Sequence, residues 1–313
     1  VAMNQTRLTW LAYLFPTQMC LYNTIPLLAF SRTALRQEIS TSRATQRDEI
    51  LASDSSAYIS RYALGRDYHK VIRGKLKALV RQIENYLVEH EFYDFSARVF
   101  TDSAPILEKA FAEQAGLGWI GKNTLLLNEQ AGSWFFLGEI LTNLPLPASY
   151  RLQTDRCGSC SACMEACPTN AFVAPYQLDA RKCISYLTIE HRGSIDENLR
   201  ELIGNRIFGC DDCQLVCPWT KYAPETNERD FAPRHNLDSS NLLELFQWTE
   251  EEFLSKTEGS PIRRAGYLGW VRNLAVAIGN GPRSQEAVKV LKSRKGLSAL
   301  TDEHINWAID RLG

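Results

Sequence analysis

Eight of the nine cysteines fall between Cys157 and Cys217, at the short intervals that thiolate metal ligands use. Cys157, Cys160, Cys163 and Cys167, followed by Pro168, spell C-x2-C-x2-C-x3-C-P. In the bacterial ferredoxin run of that form, three thiolates hold one iron-sulfur cluster and the fourth reaches a second. A second cluster needs its own cysteines, and Cys210, Cys213 and Cys217 with Pro218 supply them, Cys183 completing the set. The crossed arrangement predicts Cys157, Cys160, Cys163 and Cys217 on one 4Fe-4S cluster and Cys167, Cys183, Cys210 and Cys213 on the other. A simple ferredoxin repeat would place the ligand Cys183 provides just upstream of Cys210, where Ile207 stands. Zinc competes for such sites, because its four-cysteine sites also use C-x2-C pairs, but it leaves the two proline-terminated runs unexplained.

Intervals this short force tight loops that turn sulfur inward, with backbone amides free to donate to the cluster and tune its potential. Two clusters in one module form an electron wire. What it serves must come from the segment before it. There, Ser103 to Gly116 reads as a helix, with Pro105 near its start, an apolar stripe of Leu107, Ala110, Phe111 and Ala115, and Gly116 as its stop. Gly116 to Gly121 then spells G-x-G-x-x-G, but a dinucleotide fingerprint follows a strand and opens a helix. This one follows a helix and precedes the strand-like Thr124 to Leu127. The glycines are expected to allow positive φ and close approach to a flat or bulky group. Trp134 to Thr142 reads as a second, buried strand. Asp102, just before the helix, has two readings: an N-terminal cap, or a general acid kept protonated by burial.

At 313 residues, 45% apolar and 23% charged, the chain has the make-up of a globular protein of two or three domains. A formal charge of −1 gives no global pull on polyanions, so any nucleic-acid contact must come from locally gathered Lys and Arg. Leu8 to Ser31 carries no charge, yet Pro16, Gln18, Asn23, Thr24 and Pro26 argue against a membrane helix, and no signal-peptide pattern is evident. A cytoplasmic protein is expected. Cys20, standing alone, reads as a small buried apolar residue.

Several ordered strings resemble epoxyqueuosine reductases: Ser60-Arg61-Tyr62-Ala63-Leu64-Gly65-Arg66-Asp67-Tyr68-His69, Thr101-Asp102-Ser103, and Gly116 through Asn123. Further along stand the eight cysteines, Ile203-Gly204-Asn205-Arg206, and Gly259 through Arg264. The resemblance runs from about Ser60 to the C-terminus and implies an α+β protein. A cobalamin-binding catalytic α/β domain would occupy residues 1–150, a ferredoxin-like two-cluster domain 151–225, and a HEAT-like helical repeat that binds tRNA 226–313. It implies that electrons from an external low-potential donor of flavodoxin or ferredoxin type pass through both clusters to cobalamin. The epoxide of epoxyqueuosine at the tRNA wobble position is then reduced to the alkene of queuosine. It makes Asp102 the proton donor and assigns cobalamin contacts to Asp102, Leu126, Leu137, Ser185, Asp212 and Cys213. A monomer is expected, with no lower histidine ligand to cobalt.

From Pro261 to Gly313 three helices are expected, broken near Asn280 to Pro282 and at Gly296, with Leu268, Val271, Leu274, Ala275 and Ile278 as an apolar face. Between Gly259 and Leu297, Arg263, Arg264, Arg272, Arg283, Lys289, Lys292, Arg294 and Lys295 face one acid, Glu286. Such a run is either a solvated face or a phosphate-binding one. The resemblance favours the latter, with Arg192, Arg263, Arg264 and Lys292 as tRNA contacts and Trp219 or Tyr222 beside the path of the unstacked base. The first sixty residues depart from the family pattern, Val1 to Asn4 reading as the end of an internal strand and Thr33 to Ala57 as a polar loop. Two alternatives remain: a reductive dehalogenase-like cobalamin enzyme, which would carry an export signal and no basic helical C-terminus, and an electron-transfer module without an active site.

Overall fold

The computed structural model describes residues 49–144, 146, 153–224 and 226–313, together with the backbone of the strand Leu27–Phe30. The expectations for Val1 to Asn4, for Cys20 and for most of Leu8 to Ser31 and Thr33 to Ala57 lie outside these residues. Two compact units emerge, each assembled from separated stretches of chain. The first takes in the strand Leu27–Phe30 with Tyr68–Ser161 and Cys217–Thr226. The second takes in residues up to Asp67 from residue 49, then Ala162–Val216 and Asn227–Gly313.

The first unit is a three-stranded antiparallel sheet under a long helix. Gly138–Thr142 is its central strand, flanked by Leu27–Phe30 and Ala97–Phe100, with Val99 opposite Ile140 and Phe100 opposite Glu139. The helix Tyr68–Glu89 buries Tyr68, Val71, Ile72, Leu76, Ile83 and Leu87. That spacing puts one stripe on the sheet. Gly138 makes the contact possible, since a Cβ there would meet Ile72 at 2.9 Å.

The helix expected over Ser103 to Gly116 spans only Glu108–Gln114. Asp102, just before the expected start, sits at φ 48° in the left-handed region, and Pro105 disfavours helical backbone at Ala104, so the helix begins only beyond them. The strand expected over Trp134 to Thr142 is confined to Gly138–Thr142. Within the G-x-G-x-x-G segment Trp119–Ile120 is itself a strand, pairing antiparallel with Leu126–Leu127. Gly116 has the expected positive φ of 74°. Gly118 and Gly121 instead allow close approach to the hairpin's own Leu127, whose carbonyl oxygen would lie 1.9 Å from a Cβ at Gly118.

The second unit is mainly helical. The helix Gly266–Gly279 buries eleven of its fourteen residues and packs against Ala299–Leu312, with Gly279 pressed onto Ala308. Trp248 and Trp270 stack in the same core, with Phe253 tilted against Trp270. Three helices follow Pro261, Gln285–Lys292 being the middle one, and their breaks fall as the sequence indicates. Of the expected apolar face, Val271, Leu274, Ala275 and Ile278 are buried, whereas Leu268 is exposed at the first turn. A short parallel pair, Tyr58–Ile59 with Arg206–Phe208, lies just before Cys210. Among the described residues no helix is long and apolar enough to cross a membrane.

Candidate functional site

Cys167, Cys183, Cys210 and Cys213 all lie in the second unit, on loops and first turns that short helices fix. Cys183 is the residue before the helix Ile184–Ile189, so its sulfur faces the free backbone N–H groups of Ser185 and Tyr186. Cys213 rides on the short helix Asp212–Leu215, and the Ala171 N–H donates to Cys167 Sγ at 3.3 Å. Asp211, 2% exposed, accepts from Tyr58 Oη, Ser60 Oγ and the Arg61 N–H, which ties the Ser60-Arg61 string to the cysteine loop. Burial pushes the Cys213 thiol well up, and the neighbouring Cys183, Asp211, Cys163 and Cys167 add to it. Cys210 is pushed up by burial and then by Asp212.

Cys157, Cys160 and Cys217 lie in the first unit. Asp155 accepts the Cys157 N–H at 2.8 Å, and the Cys160 N–H closes a turn on the Cys157 carbonyl at 3.0 Å. Gly158, at φ 52°, occupies the turn that the two-residue interval demands. Lys122 Nζ clamps this loop through the carbonyls of Gly158 (2.6 Å) and Cys160 (2.9 Å). Cys217 is raised by burial and by Cys157 and Cys160, while the N–H groups of Trp219 and Thr220 lower it.

This donor set fits iron-sulfur clusters. All eight thiols are free, amide donors point at several of them, and thiols this buried ionise when a cation supplies positive charge.

Asp102 is not a helix cap. Leu107 holds that position, and the Asp102 carboxylate accepts the Tyr68 hydroxyl instead; its side chain is exposed, so the burial expected of a general acid here is absent. The Tyr68 ring stacks on Phe136 at 4.3 Å and on His69 at 4.0 Å, and His69 Nε2 lies 4.0 Å from Asp102 Oδ2. The Asp102 N–H donates to Glu108 Oε1 at 2.5 Å, and Thr101 Oγ1 donates to the Leu137 carbonyl at 2.5 Å. Beneath them Glu139, 1% exposed on the central strand, hydrogen-bonds Glu108. Burial, then Glu108 and Asp102, pushes the Glu139 carboxyl up to about 9. Tyr68, Glu108 and Glu139 are not among the site residues expected from the sequence, although an acid inside the apolar run Trp134 to Thr142 is a visible signal.

The remaining expected site residues fall in varied settings. Leu126 is buried, and Leu137 packs beside it with a partly buried side chain. Ser185 Oγ donates to the Cys210 carbonyl at 3.4 Å, and Asp212 is held by Arg206 at 2.7 Å while accepting the Cys210 thiol. Arg192 donates to the carbonyls of Arg264 (2.5 Å) and Ala265 (2.6 Å). Arg264 pairs with Glu190 at 2.5 Å, and Arg263 and Lys292 are exposed. Two members of the basic run point elsewhere. Arg272 is buried, and Arg294 bonds Tyr267 Oη and the Gln247 carbonyl. Trp219 meets Trp119 edge-on at 5.1 Å and leads to a half-exposed Tyr222 at 5.6 Å.

Two family models match the chain, a 4Fe-4S double cluster binding domain over residues 156–220 and epoxyqueuosine reductase QueG, DUF1730, over 33–103. The second match begins well upstream of Ser60, where the resemblance in the sequence strings starts. The epoxyqueuosine reductase of Pseudomonas aeruginosa is 58% identical over 270 residues, covering 86% of this chain and 73% of the relative. The chain belongs to the epoxyqueuosine reductase family. The Escherichia coli K12 relative is 56% identical over 259 residues, 83% of this chain and 67% of the relative. The chain thus spans about two thirds to three quarters of the curated relatives. A selenomethionine-labelled epoxyqueuosine reductase crystal structure matches with TM-score 0.77 at 29% identity, over 92% of this chain and 73% of that one. A second structure, TM-score 0.72 at 29% identity with the same coverage, holds an epoxyqueuosine-modified tRNA-Tyr stem loop.

Proposed function

We propose that this chain reduces epoxyqueuosine in tRNA to queuosine, with Asp102 donating a proton to the departing oxygen. The reaction takes up two electrons and two protons, breaks both carbon–oxygen bonds of the epoxide and releases water. The observation that carries the reading is Asp102 itself, an exposed carboxyl released from helix capping and held by the Tyr68 hydroxyl within a family that reduces an epoxide. A Bacillus subtilis epoxyqueuosine reductase structure is described as having an aspartate on its catalytic loop, which supports a catalytic role for the loop that carries Asp102.

The proposed cluster ligands are Cys157, Cys160, Cys163 and Cys217 for one cluster and Cys167, Cys183, Cys210 and Cys213 for the other. A cobalamin, when bound, supplies strongly reducing cobalt. Asp102, Leu126, Leu137, Ser185, Asp212 and Cys213 would hold it. The donor chemistry suits a largely apolar macrocycle with an amide rim. Leu126 and Leu137 offer apolar surface, while Ser185 and Asp212 have committed side chains and offer backbone groups. The proposed division is a cobalamin-binding catalytic part to residue 150, the cluster segment at 151–225 and a HEAT-like helical part at 226–313, the last presenting Arg263, Arg264 and Lys292 to tRNA phosphates, with Arg192 of the cluster segment bonded to the carbonyls of Arg264 and Ala265 beside them. An external low-potential donor of flavodoxin or ferredoxin type would feed the clusters, and a cytoplasmic monomer fits a tRNA-modifying role.

The test is anaerobic reconstitution with iron, sulfide and cobalamin, followed by incubation with reductant and epoxyqueuosine-tRNA. Queuosine should form, and Asp102→Asn should suppress turnover by about a hundredfold or more while leaving cofactor spectra intact. Undiminished turnover in that variant removes Asp102 from the chemistry; an inactive parent with both cofactors bound removes the proposed activity.

A further inference from the structure

The Asp102 loop is anchored by a pair of acidic side chains that neither the chemistry nor the cofactors require. Asp102 has a left-handed backbone, a conformation that costs a non-glycine residue energy unless its surroundings hold it. The hold is visible. Its N–H donates at 2.5 Å to Glu108, on the first turn of the helix Glu108–Gln114, and Glu108 in turn bonds Glu139 on the buried central strand.

We infer that Glu108, braced by Glu139, is a positioning residue that latches the Asp102 loop so that its carboxyl stays in place. The inference rests on the role proposed for Asp102. Two like carboxylates would repel at this range, so one of the pair must carry a proton. Glu139 is that one. It is the more buried, and the bond between them raises its proton affinity while lowering that of Glu108. Glu108 therefore accepts twice, from the Glu139 carboxyl and from the Asp102 N–H. Glu139 Oε2 is buried and has no hydrogen-bond partner among the described residues. A core position otherwise suited to Val or Ile tolerates such a group where the acid does something else.

The latch explains why the carboxyl can be exposed and still oriented. Tyr68 grips it from the long helix, and Glu108 grips the backbone of the same residue from the opposite side in sequence. Removing the backbone grip lets Asp102 leave its strained conformation while substrate binding is untouched. Misplacing a reacting group by about an ångström costs on the order of a hundredfold in rate.

Three variants test this: Glu108→Ala, Glu139→Leu and Glu139→Gln, made in the full chain with clusters assembled. The glutamine amide donates to Glu108 as the protonated carboxyl does, so Glu139→Gln should stay within about threefold of the parent. Glu108→Ala and Glu139→Leu should lower kcat by about ten- to a hundredfold with KM for the tRNA unchanged. Hydrogen exchange of residues 101–107 should quicken in those two variants and not in Glu139→Gln, a readout that needs neither cobalamin nor turnover. Glu108 is half-buried at a helix start, so its alanine variant folds even if the leucine variant does not. Unchanged exchange in Glu108→Ala, or a loss in Glu139→Gln equal to that in Glu139→Leu, overturns the latch. A parent without epoxyqueuosine reduction but with the predicted exchange pattern overturns the proposed function and leaves the latch standing.

Discussion

Arg272 offers the sharpest separation between a structural and an RNA-binding role for the basic C-terminal run. It is 1% exposed in the middle of Gly266–Gly279, with no carboxylate among the partners described for it. Its guanidinium donates to the carbonyls of Leu187 (2.6 Å), His191 (2.8 Å) and Gly193 (2.8 Å) and twice to Asn273 Oδ1. Arg272→Met orphans two fully buried acceptors, Leu187 O and Asn273 Oδ1, at roughly 1–3 kcal/mol each. The two loop carbonyls are half-buried and cost about 1 kcal/mol apiece once water replaces part of the bond. Against this total of about 6 kcal/mol stands relief of the buried cation, whose pKa burial holds down to about 10; that relief is worth roughly 3 kcal/mol. The net loss is on the order of 3 kcal/mol, which lowers the thermal transition of the second unit by roughly 6–12 °C. Limited proteolysis should cut first near His191 to Gly193. An unshifted transition combined with weaker, less salt-sensitive tRNA binding would refute the argument and return Arg272 to the phosphate surface.

Two further outcomes follow from the same geometry. Gly118→Ala places a Cβ 1.9 Å from the Leu127 carbonyl oxygen, so the Trp119 to Leu127 hairpin must open; a destabilisation of about 2 kcal/mol or more is expected, against no change if the glycine serves only a ligand. Charge reversal at the exposed Arg263 and Lys292 should weaken tRNA binding and lower the magnitude of the salt slope by about one per lost phosphate contact, measured from 50 to 200 mM salt; an unaltered slope clears both residues.

Cysteine spacing is local information, and it was enough to read a 4Fe-4S double-cluster segment from residue order alone. Two or three residues between ligands leave the backbone few ways to turn, so the turn at Gly158 follows from the interval itself, whereas Cys183, far in sequence from every other ligand, is placed by the fold. The three C-terminal helices were equally legible, because Asn280 to Pro282 and Gly296 interrupt a clear apolar period. Charge identity was not enough to tell Arg272 from Arg263. Both are arginines in one basic run, and only helix packing buries the first and exposes the second. Asp102 shows the same limit more sharply. Whether an aspartate before a helix caps it depends on where that helix begins, and its start at Glu108 frees the carboxyl for Tyr68. Tyr68 reaches Asp102 from 34 residues away in sequence, and Glu139 reaches Glu108 from 31, across helix docking and strand register. No local pattern encodes such a meeting, because it is the burial of the central strand and the docking of the long helix that bring these side chains together and raise the proton affinity of Glu139.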